Sequence, residues 1–211
     1  MAEVAKLEKL LDSERHLVVT SSIATNLMSF EEYAVYDDGT EKRFELVDGV
    51  LVEMNPPLLE HFLIAKLIEQ VFDAEIKRLQ LAWLCFREAG VRIGLRKSRL
   101  TDVCVATLEQ ARELRGASVV FETPPLLAVE IVSPDSVKRD YRYKRTEYAA
   151  LGIPEYWIVD PLKSKVSVLQ FNEGLYEETA FTEEQQIQSS TFPEVKLTVA
   201  QVLAAGELPP N

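Results

Sequence analysis

Three charged residues occur at positions where a purely structural sequence rarely has them. Glu130 interrupts the apolar segment LLAVEIV, Asp102 begins the apolar segment DVCVA, and Lys144 follows within a basic segment. Burying a carboxylate or an ammonium group is costly unless the group is paired or binds a ligand. Two carboxylates on neighbouring strands offer the hard oxygen atoms that a divalent cation binds, and a nearby amine can act on a water molecule. The three residues are therefore a candidate site for metal-assisted hydrolysis.

Each of these residues also has a structural interpretation. Glu130 could pair with a buried arginine, and Asp140 is placed to reach Lys144 as an i,i+4 partner. The predicted helical face of Lys144 is otherwise apolar or aromatic, so the lysine could extend along its edge to water. Periodicity alone favours this interpretation of the lysine. The face comprises Val137, Tyr141, Lys144, Tyr148 and Leu151.

The segment that must position the glutamate and the lysine is residues 126–161. It predicts a strand from Leu126 to Val132, a Ser-Pro-Asp-Ser turn, a basic helix that ends at Gly152, and a second strand from Tyr156 to Val159. Because both strands are almost entirely apolar, we expect them to lie in the core. The helix between them would then bring Lys144 back toward Glu130.

Local signals predict the elements on either side of this segment. Ser29 and Glu32 have the spacing of a capping box, and RFELVDGVLVEMN predicts a hairpin that turns at Asp48-Gly49. A long helix up to about Leu79 follows. The remaining predicted elements are strands at AWLCF, VRIGL and DVCVA, a helix over 108–115, an antiparallel pair KVSVLQF and LYEETAF turned at 172–174, and a short helix capped near Thr198.

This order of elements predicts a mixed fold of the α/β (α+β) class. We expect a central mixed β-sheet flanked by helices, with an N-terminal β-hairpin. Residues 1–28 are predicted to form an N-terminal arm, and residues 29–211 a single domain.

Composition limits the class of protein. The chain has 211 residues, 47% of them apolar, which is enough for one hydrophobic core. A formal charge of -11 argues against a protein that coats nucleic acid with its whole surface, but does not exclude a local basic groove. Cys85 and Cys104 lack CxxC partners, so we expect free, buried thiols and no zinc knuckle. No signal peptide or membrane span is evident, and a cytoplasmic location is expected.

The order of aspartate, strand-end glutamate and lysine resembles that of the PD-(D/E)XK nucleases. The usual lysine position, two residues after the glutamate, is Val132 in this chain. The arrangement with the lysine moved to the following helix resembles the Uma-two family of restriction endonuclease-like proteins. The similarity runs over roughly residues 29–205 and includes FELVDGVLVEM, Pro56-Pro57 with His61, Thr101-Asp102-Val103 in place of Pro-Asp-Val, VEIVSPDS, Asp140, Lys144, Tyr148 and GIPEYWIVDP.

This resemblance implies a restriction endonuclease-like fold that hydrolyses DNA with Mg²⁺ or Mn²⁺. Asp102 and Glu130 would be metal ligands, together with the backbone carbonyl of Ile131. Glu45, which matches a glutamate in the hairpin of the family, would be a further acidic ligand, through water. The substitution of Thr101 for proline leaves the ligand in place.

The resemblance also implies roles for residues around the metal. Lys144 would orient the attacking water or stabilise charge on the phosphate, and Asp140 would orient Lys144. His61 matches a histidine of the family at the start of the long helix. A surface residue that caps this helix is an equally good interpretation of His61.

The implied partner is DNA, double-stranded in preference to single-stranded, and a homodimer would supply one site for each strand. Two basic clusters flank the proposed acids and could form a track for phosphates. Alternatively, these residues offset the surplus of acids in surface ion pairs. The clusters are Arg92, Arg96, Lys97 and Arg99, and Lys138, Arg139, Arg142 and Arg145.

Two other functions remain open on the sequence. A nuclease-fold protein could bind nucleic acid or a protein partner without cutting, which the acidic charge and the N-terminal arm would suit. A pair of carboxylates could also act as in a glycosidase, but such a pair needs an acid with a raised pKa and no lysine beside it. Lys144 argues against the glycosidase.

Overall fold

The structure is a computed structural model that describes residues 27–40 and 42–208. The predicted N-terminal arm lies outside the described residues, apart from Leu27 and Met28. The helices are α1 (Phe30–Ala34), α2 (Leu59–Leu79), α3 (Leu108–Glu113), a π-helix (Arg139–Lys144) continuous with α4 (Arg145–Leu151), a 3₁₀ turn (Pro161–Lys163) and α5 (Val199–Ala204). The strands are β1 (Arg43–Val47), β2 (Val50–Met54), β3 (Trp83–Arg87), β4 (Gly90–Gly94), β5 (Lys97–Leu100), β6 (Val103–Thr107), β7 (Val120–Phe121), β8 (Leu127–Ile131), β9 (Glu155–Asp160), β10 (Lys165–Asn172) and β11 (Leu175–Thr182).

The strands form two mixed sheets. One has the order β2-β1-β5-β4-β7, and the other has the order β11-β10-β9-β8-β6-β3. The pairs β4–β7 and β8–β9 are parallel, and the other pairs are antiparallel. The predicted mixed α/β class is therefore confirmed, but the prediction of one central sheet is wrong. Strand β5, which the sequence did not predict, pairs with β1 and joins the N-terminal hairpin to β4 and β7 in the second sheet.

The two signals at the N-terminal end of the described chain are confirmed. Ser29 and Glu32 form a reciprocal capping box at the start of α1. Strands β1 and β2 pair antiparallel up to Val47 and Val50. Asp48 and Gly49 between them have φ values of 52° and 85°, as a type I′ turn requires.

The six-stranded sheet is covered on both faces. Helix α2 packs on one face through Ile64, Ile68 and Phe72, against alternate residues of β6, β8 and β9. Helix α4 and strand β4 pack on the other face through Tyr148 and Val91. Glu130 of β8 lies on the face of the sheet that α4 covers, where its carboxylate accepts a hydrogen bond from the hydroxyl of Tyr148. No helix in the described part of the chain, α2 included, is long and apolar enough to cross a bilayer.

The basic helix differs from its predicted geometry. Its first part is a π-helix, and the buried residues of the segment are four apart, at Ser136, Asp140, Lys144 and Tyr148. In a regular α-helix such a line drifts around the cylinder, because each turn holds 3.6 residues. A π turn holds more than four residues, so positions four apart drift in the opposite direction there, and the two drifts offset each other along the segment. Lys144 and Tyr148 were predicted on the buried face, but Ser136 and Asp140 replace Val137 and Tyr141 at its centre.

Glu155, at the start of β9, binds a distant loop. Its carboxylate accepts hydrogen bonds from Trp157 Nε1 at 2.5 Å and Ser189 Oγ at 2.6 Å. It also accepts the backbone N–H groups of Ser190 and Thr191, each at 2.8 Å, and both of their hydroxyl groups. The side chain is fully buried. Glu155 thus fixes residues 189–191 to the edge of the core.

The two thiols are free. Cys104 on β6 is buried, and burial raises its pKa to about 12, so it is an unreactive thiol. Cys85 on β3 is partly buried, and burial raises its pKa also. The expectation of free thiols is confirmed.

Candidate active site

A pocket of about 400 Å³ opens between the hairpin, the segment that leads into α2, and the turn that follows β8. Its walls come mainly from residues 53–58, 100–102 and 133–136. Five of the predicted site residues line it: Asp102, Glu130, Ile131, Asp140 and Lys144. Glu45 does not line this pocket.

Asp102 lies immediately before β6. The register of β6 with β8, which pairs Val103 with Val129, brings Asp102 to the end of β8. Its Oδ2 accepts the backbone N–H of Ile131 at 2.7 Å and lies 3.0 Å from His61 Nε2. Its Oδ1 accepts no hydrogen bond from any residue that the structure describes. One oxygen of Asp102 is therefore available to a ligand.

Glu130 and Lys144 form a buried ion pair. Lys144 Nζ lies 2.6 Å from Glu130 Oε2 and donates to the carbonyl of Leu100 at 2.7 Å. Tyr148 donates its hydroxyl to Glu130 Oε1 at 2.7 Å. Both residues of the pair are only 2% exposed. Lys144 consequently does not extend to water, and the structural interpretation of this residue as an edge lysine is wrong.

The surroundings of this pair keep Lys144 charged. Burial lowers the pKa of Lys144, but the negative charges of Glu130 and Glu45 outweigh this effect and raise it above its ordinary value of 10.5. Burial favours the neutral form of Glu130 and raises its pKa, while Lys144 favours the carboxylate; the 2.6 Å contact between them is that of a charged pair. A protonated lysine cannot take a proton from water. Lys144 can, however, stabilise negative charge on a bound phosphate.

Glu45 lies behind the ion pair, away from the pocket. Its carboxylate accepts Arg99 Nη1 at 2.7 Å and the backbone N–H of Leu100 at 3.2 Å, and it lies 3.6 Å from Lys144 Nζ. Arg99 in turn pairs with Glu147 at 2.8 Å. The structure therefore brings Glu45 to the lysine rather than to the pocket surface. The sequence did not predict Arg99 as the partner of Glu45, because only the pairing of β1 with β5 brings the two residues together.

Asp140 does not form the predicted pair with Lys144. Its carboxylate accepts a short hydrogen bond from Ser136 Oγ, and its Oδ1 lies 3.8 Å from Arg139 Nε. Among the described residues, no hydrogen bond or ion pair joins Asp140 to Lys144. The i,i+4 ion pair is not formed, because Lys144 Nζ is engaged by Glu130 and Leu100 while Ser136 engages Asp140.

Five of the eight basic residues in the two clusters form ion pairs with acids, Arg139 among them through its 3.8 Å contact with Asp140. Arg92 pairs with Glu31 and Glu122, and Arg145 pairs with Glu178. Lys97 pairs with Asp48. Arg99 pairs with Glu45 and Glu147. For these residues the structure supports the alternative that they offset nearby acids. Arg96, Lys138 and Arg142 make no ion pair with any described residue.

The donor atoms at the pocket fit a hard divalent cation. The described residues contain no group of three or more His, Cys, Asp or Glu side chains placed to hold a metal. Mg²⁺, however, needs one or two carboxylates and keeps several waters. Asp102 and Glu130 are two carboxylates at one pocket, and Ile131 lies beside them. Both oxygens of Glu130 already accept hydrogen bonds, so a cation would share this carboxylate with Lys144 or displace it.

His61, on the first turn of α2, is a partner of Asp102 rather than a surface cap. Burial lowers the pKa of His61, but the hydrogen bond and charge of Asp102 outweigh it and raise the pKa above 6.5. His61 holds the pKa of Asp102 below its usual 3.8, against the opposing effect of burial. The motif match to the family pointed to this histidine, whereas its spacing alone did not.

The pKa shifts of this pair predict a pH-dependent contribution to stability. A raised pKa of His61 stabilises the fold below about pH 6.5, and this contribution is lost as the pH rises through the folded-state pKa. The contribution of Asp102 to stability, which follows from its lowered pKa, is lost only in strong acid. We therefore expect His61→Gln to lower the free energy of unfolding by about 1 kcal/mol near pH 5.5 and by less near pH 8.5. Urea unfolding at both pH values measures the difference, and equal losses would contradict the ion pair.

Comparison with solved structures shows the class of fold to which the chain belongs. It is similar to the crystal structure of "a putative nuclease belonging to DUF820" from Anabaena variabilis, with a TM-score of 0.71 and 20% sequence identity. The similarity covers 85% of this chain and 99% of that chain. At this identity the comparison shows the fold alone, a mixed α/β fold. No curated protein matches the chain.

The sequence itself identifies the family. The chain belongs to the Uma2 family, which is described as "Putative restriction endonuclease" and whose model matches residues 30–200. This is the family that the motifs predicted. The matched residues include every predicted site residue from Glu45 to Lys144.

Proposed function

We propose that this protein is a metal-dependent nuclease of restriction endonuclease-like fold that hydrolyses phosphodiester bonds in DNA. The observation that carries the proposal is the position of Lys144. From the helix after β8, its ammonium lies 2.6 Å from Glu130 Oε2, in a pocket that Asp102 also lines. The acid pair and the amine of the nuclease motif thus meet at one site, although the lysine comes from a different element.

Asp102, Glu130 and the carbonyl of Ile131 would hold Mg²⁺ or Mn²⁺. When bound, the cation supplies a Lewis acid for the phosphate and a lowered pKa for the attacking water. Lys144 remains an ammonium ion and stabilises charge on the phosphoryl oxygens as water attacks phosphorus and the leaving oxygen departs. The carbonyl of Leu100 and the hydroxyl of Tyr148 fix the orientation of the lysine and the glutamate.

Glu45 and Asp140 have supporting roles in this proposal. Glu45, held by Arg99, keeps a negative charge behind Lys144, and this charge keeps the lysine protonated. Asp140 secures the start of the π-helix through Ser136. We further propose a homodimer, in which each copy presents one pocket to the substrate.

The proposal is tested by DNA cleavage with and without metal. Wild type is incubated with plasmid, linear duplex and single-stranded DNA in Mg²⁺, in Mn²⁺ and in EDTA. We expect metal-dependent cleavage, and we expect Asp102→Asn to reduce its rate at least about 100-fold, a loss of ~2.7 kcal/mol of transition-state stabilisation. Asp73→Asn, at an exposed position of α2, is the matched control. Equal rates for wild type and Asp102→Asn would contradict the assignment.

A second candidate function is binding of nucleic acid or a protein partner without cutting. It is favoured by one observation, that both oxygens of Glu130 accept hydrogen bonds from Lys144 and Tyr148. Calorimetric titration with Mn²⁺ separates the two functions. No heat of metal binding, with DNA binding intact, would favour the protein that does not cut.

A further inference from the structure

We propose that the pocket receives one nucleotide of an unpaired DNA strand, and that an intact duplex is a poor substrate. This inference rests on the proposed function and names its substrate class. It departs from the duplex that the family resemblance implied. Three features of the pocket carry it: its size, its apolar wall and the distribution of its charges.

The pocket is too small for a duplex to reach the buried groups. Its volume of about 400 Å³ is near the lower end of the range of sites for single small ligands. Lys144 and Glu130 are 2% exposed within it. A phosphate can meet the Lys144 ammonium only if its nucleotide enters the pocket. Enzymes that act on a base take it from a single strand or out of the base stack, and the same entry of a nucleotide would carry its phosphate to Lys144.

One wall of the pocket is apolar. It consists of Met54 at the end of β2, then Pro56, Pro57 and Leu58, which lead into α2. Leu58 is 61% exposed. Apolar side chains of this kind pack against the face of an unstacked base. A base in a duplex is stacked on its neighbours and offers no such face.

The charges of the pocket favour one phosphate over a long backbone. Arg43 pairs with Glu88, and Lys144 pairs with Glu130. Arg139 has its Nε buried without a hydrogen-bond partner among the described residues, and its contact with Asp140 Oδ1 is long, at 3.8 Å. Arg139 is therefore the pocket cation that is best able to bind the phosphate of the inserted nucleotide.

The described residues around the pocket do not offer the second cationic row that a duplex needs. Duplex binding depends on several Lys and Arg side chains that neutralise phosphates on both strands. Five of the eight residues of the predicted basic track pair with acids, including Lys97 and Arg145. The pocket wall itself contributes Asp135, which repels a neighbouring backbone.

Binding and cleavage are measured separately, so that the two proposals can fail separately. Fluorescence anisotropy compares a labelled single strand, a blunt duplex and a duplex with an unpaired bubble. Cleavage is measured on the same DNAs and on bis(p-nitrophenyl) phosphate, a small diester that any open site admits. We expect the single strand and the bubble to bind, and to be cleaved, at least about tenfold better than the blunt duplex.

Each outcome decides the inference. Equal or tighter binding of the blunt duplex would overturn it, whether or not cleavage occurs. Hydrolysis of the small diester together with equal cleavage of the duplex and the single strand would also overturn it, and would leave the nuclease function intact. Preferential binding of the single strand without any hydrolysis would support the pocket and overturn the nuclease function.

Two variants test the residues that carry the inference. Met54→Ala and Arg139→Gln should each weaken single-strand binding about fivefold or more, because they remove base packing and a phosphate contact. Val52→Ala, on the same strand outside the pocket, and Arg112→Gln, an exposed arginine of α3 that belongs to neither basic cluster, are the controls. If the controls weaken binding as much as their counterparts, the pocket is not the binding site.

Discussion

Replacing Lys144 by methionine is expected to lower the free energy of unfolding by about 3–5 kcal/mol and to slow DNA hydrolysis about 1,000-fold. The loss of stability follows from Glu130, which would remain 2% exposed with Tyr148 as its remaining partner. The loss of rate follows from removal of the ammonium that would stabilise charge on the phosphate. Urea unfolding and the cleavage assay measure the two effects.

A second substitution separates the two effects of Lys144. In Lys144→Met/Glu130→Gln no charge is buried without a partner, so we expect most of the lost stability to return. Activity should not return, because both the ammonium and a proposed metal ligand are missing. Lys66→Met, at an exposed lysine of α2, should change neither property. If the double variant were no more stable than the single one, the uncompensated carboxylate would not be the cause.

Replacing Glu155 by alanine is expected to lower the free energy of unfolding by about 3–5 kcal/mol, without any direct effect on the pocket. The change leaves several buried donors unpaired, among them Trp157 Nε1, Ser189 Oγ and the backbone N–H of Thr191. Each buried donor without a partner costs about 1–3 kcal/mol, and relaxation of the loop recovers part of the sum.

The measurements for Glu155 are urea unfolding and amide hydrogen exchange. The amides of Ser190 and Thr191, which bond to the carboxylate, should exchange much faster in Glu155→Ala. Glu184→Ala, at an exposed glutamate nearby in sequence, is the control. A loss below about 1 kcal/mol would mean that water or rearranged side chains replace the carboxylate.

Features set by neighbouring residues could be predicted from the sequence. The type I′ turn at Asp48-Gly49 and the capping box at Ser29 depend on side chains within a few residues of each other. The same holds for the end of α4 at Gly152, whose φ of 80° suits a glycine. The family motifs added His61 and Glu45, which no local pattern marks as special.

Features set by distant residues could not be predicted. The hairpin is joined to β5, β4 and β7 by the pairing of Leu46 with Ser98. The alternation of residues within β5 does not reveal which strand it will pair with. The ion pair of Arg99 with Glu45 follows from this pairing. The hydrogen bonds of Glu155 join residues more than thirty positions apart in the sequence. The polar loop that they reach carries no pattern that predicts this contact. Propensity could not distinguish a π-helix from an α-helix at Arg139–Lys144.

The π-helix has a consequence for how insertions and deletions act on this chain. A π turn contains one residue more than the α turn it replaces, so the loss of a single residue between Asp140 and Lys144 could be absorbed by a change to α geometry. The backbone would remain helical, and the residues after the deletion would keep their orientation, because only the extra residue of the π turn is lost. A change of length that is not absorbed in this way rotates the following side chains by about 100° per residue and turns the amine away from β8. The length of this segment, as much as the identity of its lysine, determines whether the acid on β8 has a partner.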